Sequence, residues 1–403
     1  MEKEFIKNTN KSVTLNVTAG RIDSFRQTEK TTGTVRVYEN GCIGVAGCLG
    51  EPNEEELTER AKAALAFGIP YPEKLEGALE AEELHDKEII PIPEFVPRMQ
   101  AFLDRLGELC PRFALSNKIS LDSYRSEYVN SKGRRLVSSG GRLSIMLVCQ
   151  SRGSGNLFDT CLGWVGDSFD EEKILAEFKR EYDAYYREVD IEPGRYPVII
   201  GDPIMEFTFA RHFVGDLYAA GASLLSGKLG EKVFSEKFTV KAEMDPSMGA
   251  CFFDAEGCAA PDHRPAIVEN GVLKAVLTTK KSAETYGLPN IGTADAAYDG
   301  VPDIGFSELH YGETAKDPAE LVPGKAVLVF IVAGGDATPE GHFASPVQTA
   351  YLLENGEFVG RLPELQIGGN FFDLFGKDYI GTVRGFPYKD ASLTAMMMDV
   401  EKA

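Results

Sequence analysis

The chain has 403 residues, with 42 Lys+Arg against 62 Asp+Glu, a formal charge of 42 − 62 = −20. Its 43% hydrophobic fraction is enough to build real cores and excludes global disorder, and at roughly 100–200 residues per domain the length suggests two or three domains. That charge argues against nucleic acid and against an anionic membrane surface, since both call for Lys/Arg stripes and no such run exists.

Strand-like stretches at 13–17, 21–27, 34–38 and 43–46 come first, with Asn40-Gly41 as a hairpin turn. A helix is predicted over 54–67, because Asn53 can cap it and Glu54, Glu55 and Glu56 suit its positive N-terminal end. The acidic, proline-flanked segment 70–97 reads as a solvated surface excursion, and 97–106 as a helix stopped by Gly107. An antiparallel meander follows at 119–128, 134–139 and 143–149, with turns at 130–133 and at Gly140-Gly141. Over 170–189, Ile174, Phe178, Tyr182, Tyr186 and Val189 recur at helical spacing as one apolar stripe, which is core patterning and not a cofactor box.

Pro193-Gly194 and Pro197 end that helix, so a domain boundary is placed at 194: an N-terminal α+β domain over 1–194 and a β-rich domain over 195–403. The second half opens with a strand at 198–201 and a helix predicted over 204–225. Hairpins are expected at Asn270-Gly271 and Asn355-Gly356, and 325–332 is a β-branched run that suits a buried strand. The fold class is α+β, with mixed or antiparallel sheets and flanking helices. The longest apolar stretch, 326–333, is far short of the ~20 residues that span a bilayer. The start, MEKEFIKNTN, has no apolar h-region, and seven scattered cysteines resemble reduced thiols more than a disulfide framework. A cytoplasmic protein is expected.

Most motifs fail on inspection. GASLLSGK at 221–228 has one residue too many for a phosphate loop, and Leu229 stands where the hydroxyl should be. Neither a dinucleotide fingerprint nor a nucleophile elbow is present. The five histidines (85, 212, 263, 310, 342) form no helical zinc pair, and Cys251, Cys258 and His263 match no common zinc module. His212 and Asp216, four apart on the predicted helix, would share a face, as an acid/base pair needs; Glu206 lies earlier and roughly opposite.

The sharpest signal lies in 196–300: FTFARHFVGDLYAAGASLLSGKLGEKV, then FFDAEG at 252–257, then IVENGVLKAVLTTKKSAETYGL. This block resembles the TldD/PmbA family, with Gly215, Asp254, Glu256, Gly257, Asn270 and Gly271 as signature positions. Tail motifs agree, in GHFAS at 341–345, YLLENG at 351–356 and QIGGN at 366–370, and 20–47 matches more weakly. In the TldD branch of that family a helix carries H-E-x-x-x-H, whose histidines bind zinc and whose glutamate is the base, with a late cysteine completing the set. Here the histidine positions fall on Glu206 and Arg211, and no cysteine follows Cys258. The resemblance is therefore to the metal-free TldE (PmbA) branch, with Arg211 departing from its G-H-x-V-G pattern.

That resemblance implies a non-catalytic subunit, with no cofactor of its own, paired with a zinc-bearing TldD-like partner. Together the two would process unfolded peptides, as in peptide maturation or antitoxin degradation. Two alternatives stand beside it: a non-enzymatic homodimeric peptide-binding scaffold, and an independent hydrolase using His212 and Asp216. The gyrase-modulator name attached to the family gains nothing from the charge balance.

Overall fold

The computed structural model describes residues 1–305, 308–385 and 392–403; the Glu206 side chain lies outside the described residues. Its first layer is an eight-stranded sheet dominated by four long antiparallel strands, Glu2–Thr18, Arg21–Glu39, Phe113–Asn130 and Arg134–Ser151. Asn40 and Gly41 both take positive φ (54° and 73°), the left-handed geometry of a tight hairpin, and turn the chain into Cys42–Leu49.

The sequence predicted shorter strands. Arg21–Glu39 runs unbroken through Thr28–Thr31 because each of those residues pairs across to 9–12 of the first strand. Gly140-Gly141 is not a turn either: it pairs with Tyr124 and Ser123 inside a continuous strand. A side chain at Gly140 would strike the Tyr124 ring, whose hydroxyl donates to the Ala250 carbonyl. The missing Cβ therefore makes room for a loop of the second half.

Helix Glu54–Ala64 forms as expected, with the Asn53 carboxamide accepting from the Glu56 N–H at 3.2 Å. Segment 70–97 is more than a surface excursion. It carries a strand, Leu79–Leu84, parallel to 134–139, and buries Tyr71 and Leu75. The next helix, Ile92–Leu109, starts before Pro97 and runs past Gly107. Helix Glu171–Tyr185, capped by Asp170, buries Ile174, Phe178 and Tyr182.

The second sheet closes on itself. Gly194–Ile200 runs parallel to Lys325–Val332, which pairs with His342–Glu354; that strand pairs with Leu365–Asn370, then Ser392–Lys402, then Gly194–Ile200 again. Alternation along these strands divides two cores. Leu328, Phe330, Ile199, Leu393 and Ala395 face the first sheet and its helices, joining Leu115, Ile145, Phe102 and Phe178 in one buried cluster. Val327, Val329, Val198, Met396 and Met398 point the other way, onto Phe209, Phe213, Phe371 and Phe375. The sheets change over between residues 166 and 194, yet the first cluster draws on both. At roughly 1.5–3 kcal/mol per fully buried large apolar side chain, this shared layer is a major adhesive between them.

Candidate functional site

The helix predicted over 204–225 is broken. It runs Ile204–Ala210, tightens over Arg211–Phe213, and restarts as Gly215–Ala219. The break is tertiary in origin: Val214 is extended and bridges Leu277 in parallel, with the Gly215 N–H donating to the Leu277 carbonyl at 2.8 Å. His212 and Asp216 consequently do not share a helical face. The His212 Nδ1 accepts from the Leu224 N–H at 3.2 Å, and its ring lies against Phe209 and Phe371. Burial, then the neighbouring Arg211, lowers its pKa, so the ring is a neutral packing group. Asp216 is exposed, and no hydrogen bond joins it to His212. Glu206 lies on the helix, its side chain outside the described residues.

The signature block 252–258 forms a joint between the halves. Asp254 Oδ1 accepts from the N–H groups of Glu256 and Cys258, both at 2.9 Å, and Oδ2 from that of Ala294 at 3.0 Å, which shapes the loop. Glu256 accepts from the Tyr71 hydroxyl and, at 2.9 Å, from the Lys280 N–H. The Lys280 ammonium donates to the Glu256 carbonyl at 3.1 Å and pairs with Glu76 at 3.3 Å. Gly257 has φ +71° and sits against the Tyr128 ring, where a Cβ would collide. Tyr128 in turn donates to Glu4 Oε2, and Glu4 Oε1 accepts from Arg36 and Tyr38, each at 2.8 Å. Arg36 also reaches the Ala255 carbonyl at 2.6 Å. Asn270 and Gly271 form the expected turn, at φ 49° and 78°.

The ligand atoms of Asp254, Glu256 and Cys258 lie within 4.8 Å of one another, which would suit a metal. The chemistry argues otherwise. Every carboxylate oxygen of the pair already accepts a hydrogen bond, and the Lys280 ammonium stands beside them. Burial, and then Asp254, push Glu256 up to about 7, and the same causes raise the Cys258 thiol. The carboxylate oxygens are taken up by N–H and O–H donors, with an ammonium already beside them. The Cys251–Cys258–His263 grouping does not assemble: Cys258 donates to Glu76, and His263 Nε2 pairs with Glu83 at 2.8 Å.

The site that sequence reasoning missed is a groove of about 970 Å³ between the sheets. Its floor is the outward face of the first sheet: Ser120 and Asp122, then Arg142, Ser144, Met146 and Val148, then Cys161, Gly163 and Val165. Pairing of Ser120 with Ser144, and of Ser144 with Val165, sets these residues side by side. The facing wall is Asp202, Met205 and Phe207 at the start of the broken helix, with Phe330 and Met396 behind. Phe207 is 74% exposed. At one end Arg142 pairs with Glu308 at 3.3 Å, and buried Glu243 gathers Arg264, His310 and Arg384. No local motif could mark a site whose walls lie so far apart in sequence.

The residues at the family's zinc positions do not fit a zinc ion. Arg211, an exposed cation, cannot ligate; Phe207, where the resemblance puts the base, has no acid; and no late cysteine exists.

The chain is thus a two-layered α+β scaffold whose second sheet closes and whose signature loop locks onto the first. Residues 193–384 match the PmbA/TldA metallopeptidase C-terminal domain. It is 25% identical over 293 residues to a zinc metalloprotease TldD homolog of Saccharolobus solfataricus (66% of this chain, 64% of that protein). It is 28% identical over 278 residues to a metalloprotease of Methanothermobacter thermautotrophicus (64% and 60%), so these matches span somewhat under two thirds of either relative. A metalloprotease of Archaeoglobus fulgidus is 25% identical over 393 residues, 92% of this chain and 89% of that one. In fold, the chain is similar to TldE of Thermococcus kodakarensis, with a TM-score of 0.78 at 19% identity, covering 100% of this chain and 97% of that one. A proposed DNA gyrase modulator of Thermotoga maritima gives 0.70 at 21%, covering 99% and 96%. Among the described residues, no helix is long and apolar enough to cross a membrane.

Proposed function

We propose that this chain is the metal-free, TldE-like subunit of a TldD/TldE-type metalloprotease, acting on unfolded peptides. The observation that carries the reading is the helix at 204–211, which has Glu206, Phe207 and Arg211 in sequence where a zinc peptidase would have imidazole, carboxylate and imidazole, and whose Phe207 opens onto the groove. On this reading the chain supplies a binding wall and its partner supplies the metal, the activated water and the bond cleavage. Peptide processing in the cytoplasm and pairing with an H-E-x-x-x-H subunit belong to the same proposal.

The purified chain should contain far less than one zinc per chain by mass spectrometry of metals, and should not cleave an unfolded peptide alone. Mixing with an H-E-x-x-x-H subunit should yield a complex in native mass spectrometry and start cleavage. Stoichiometric zinc with activity in the isolated chain would overturn the proposal. A homodimer that ignores the added subunit would favour the scaffold reading instead. The independent-hydrolase reading has lost its geometry, since His212 Nδ1 is committed to a backbone N–H.

A further inference from the structure

The groove carries more information than its position. Its volume, about 970 Å³, is at the upper end of the roughly 300–1,000 Å³ range of small-ligand pockets, and suits several residues of a chain. Met146, Phe158 and Phe207 line it with exposed side chains, over buried Met205. Flexible thioethers and aromatic rings form an adaptable apolar surface that accepts side chains of varied shape.

The charges on the lining are unbalanced. Arg142 and Arg384 stand against Asp122, Asp202, Glu243 and Glu308, so 2 − 4 = −2. Arg142 pairs with Glu308, and Arg384 lies 3.8 Å from Glu243, which also holds Arg264. The excess therefore rests on Asp122 and Asp202. Asp122 is on the floor and accepts from the Ser120 hydroxyl at 2.6 Å. Asp202 is on the facing wall and, among the described residues, accepts backbone N–H groups alone, from Ile204 at 2.9 Å and Val332 at 3.2 Å. Among the described residues, no cation forms an ion pair with either. Burial raises the Asp202 pKa, as expected of a carboxylate that lacks a cation partner.

We infer that this groove binds a stretch of unfolded peptide in which an apolar side chain is flanked by Lys or Arg, with Asp122 and Asp202 receiving the cations from opposite walls. The inference rests on the peptide-handling role proposed above and assigns that role a substrate class. Acidic stretches are repelled twice, by the local −2 and by the whole-chain charge of −20.

The chain's only tryptophan, Trp164, is 2% exposed in the core beneath the floor, so binding is read from the anisotropy of a fluorophore on the peptide. The probes are unstructured Gly/Ser-based peptides lacking tryptophan: one with Phe flanked by lysines, one with Phe flanked by glutamates, and one with lysines but Ser in place of Phe. The labelled Lys–Phe–Lys peptide should gain anisotropy and bind at least about fivefold more tightly than either other peptide, with an affinity that falls as salt is raised. Asp122→Asn combined with Asp202→Asn should abolish the preference for lysine over glutamate while leaving the melting curve close to that of the parent. Equal binding of all three peptides, retention of the preference by the folded double variant, or no binding of any peptide would each overturn the inference. If the double variant does not fold, the salt dependence of the parent decides: a Lys–Phe–Lys affinity indifferent to salt overturns it. Activation of an H-E-x-x-x-H subunit is measured separately, so the groove assignment can fail while the subunit proposal stands, and the reverse.

Discussion

At the scale of single residues, burial and hydrogen-bond commitment distinguish structural from functional groups. His212 looked like an acid/base candidate from its spacing to Asp216, but spacing assumes an uninterrupted helix, and the bridge from Val214 to Leu277 ends it. No local pattern announces a contact made across sixty-odd residues. Glu181 shows the complementary failure. It reads as one more solvated glutamate on an amphipathic helix, yet it is 2% exposed, accepting from Thr160 at 3.2 Å and from Tyr351 at 3.4 Å. Burial pushes its carboxyl well above the ordinary 4.5, so the folded protein keeps it protonated. A raised folded-state pKa contributes stability that is complete below about 4.5 and is lost as pH climbs toward the raised value. Glu181→Gln keeps the shape and cannot ionise. Thermal melts across pH should therefore coincide near pH 4 and diverge above it in favour of the variant, by about 1 kcal/mol for each pH unit in that window. Curves that stay parallel from pH 4 to 8 would show that Glu181 ionises freely in the fold.

At the scale of elements, legibility followed the turns. Asn40-Gly41, Asn270-Gly271 and Asn355-Gly356 each supply two residues tolerant of positive φ, and each is a hairpin turn. Gly140-Gly141 used the same residue type for another purpose, making room for a ring, and a sequence reader cannot tell the two uses apart. The 252–258 loop was legible as a motif but not as a joint, because Tyr71, Glu4, Arg36, Tyr128 and Lys280 come from remote segments. Its dependence on Gly257 can be tested. Gly257→Ala places a methyl into the Tyr128 ring at a φ of +71°, and should destabilise the chain by about 2–4 kcal/mol. Denaturant titration would read this as a lower midpoint at unchanged slope. A midpoint equal to that of the parent would mean that the loop does not need this close approach.

At the scale of the whole molecule, the α+β class was readable from the sequence, while the way the halves adhere was not. The boundary placed at 194 coincides with the start of a strand whose two faces serve different cores. Ile199, Leu328, Tyr351 and Leu393 belong to a cluster seeded by the first sheet, so cutting there would expose large apolar side chains on both pieces. We expect calorimetry of the full chain to give one cooperative unfolding transition, and a piece comprising 195–403 to associate or aggregate when made alone. Two well-separated transitions would show that the shared layer contributes little. The groove lies along the same seam, so its walls keep their spacing only while both halves are folded.

Closure of the second sheet also sets a timetable for synthesis. Its strand at 392–402 sits between 194–200 and 365–370, and 194–200 meets 325–332 across more than a hundred residues. The first sheet can zip up hairpin by hairpin as the chain emerges, since most of its pairings join sequence neighbours. The ring cannot close until its last strand has been made. Throughout that interval the apolar face of 194–200 waits without its partners, and the nascent chain is at its most vulnerable to capture by chaperones or by its own kind.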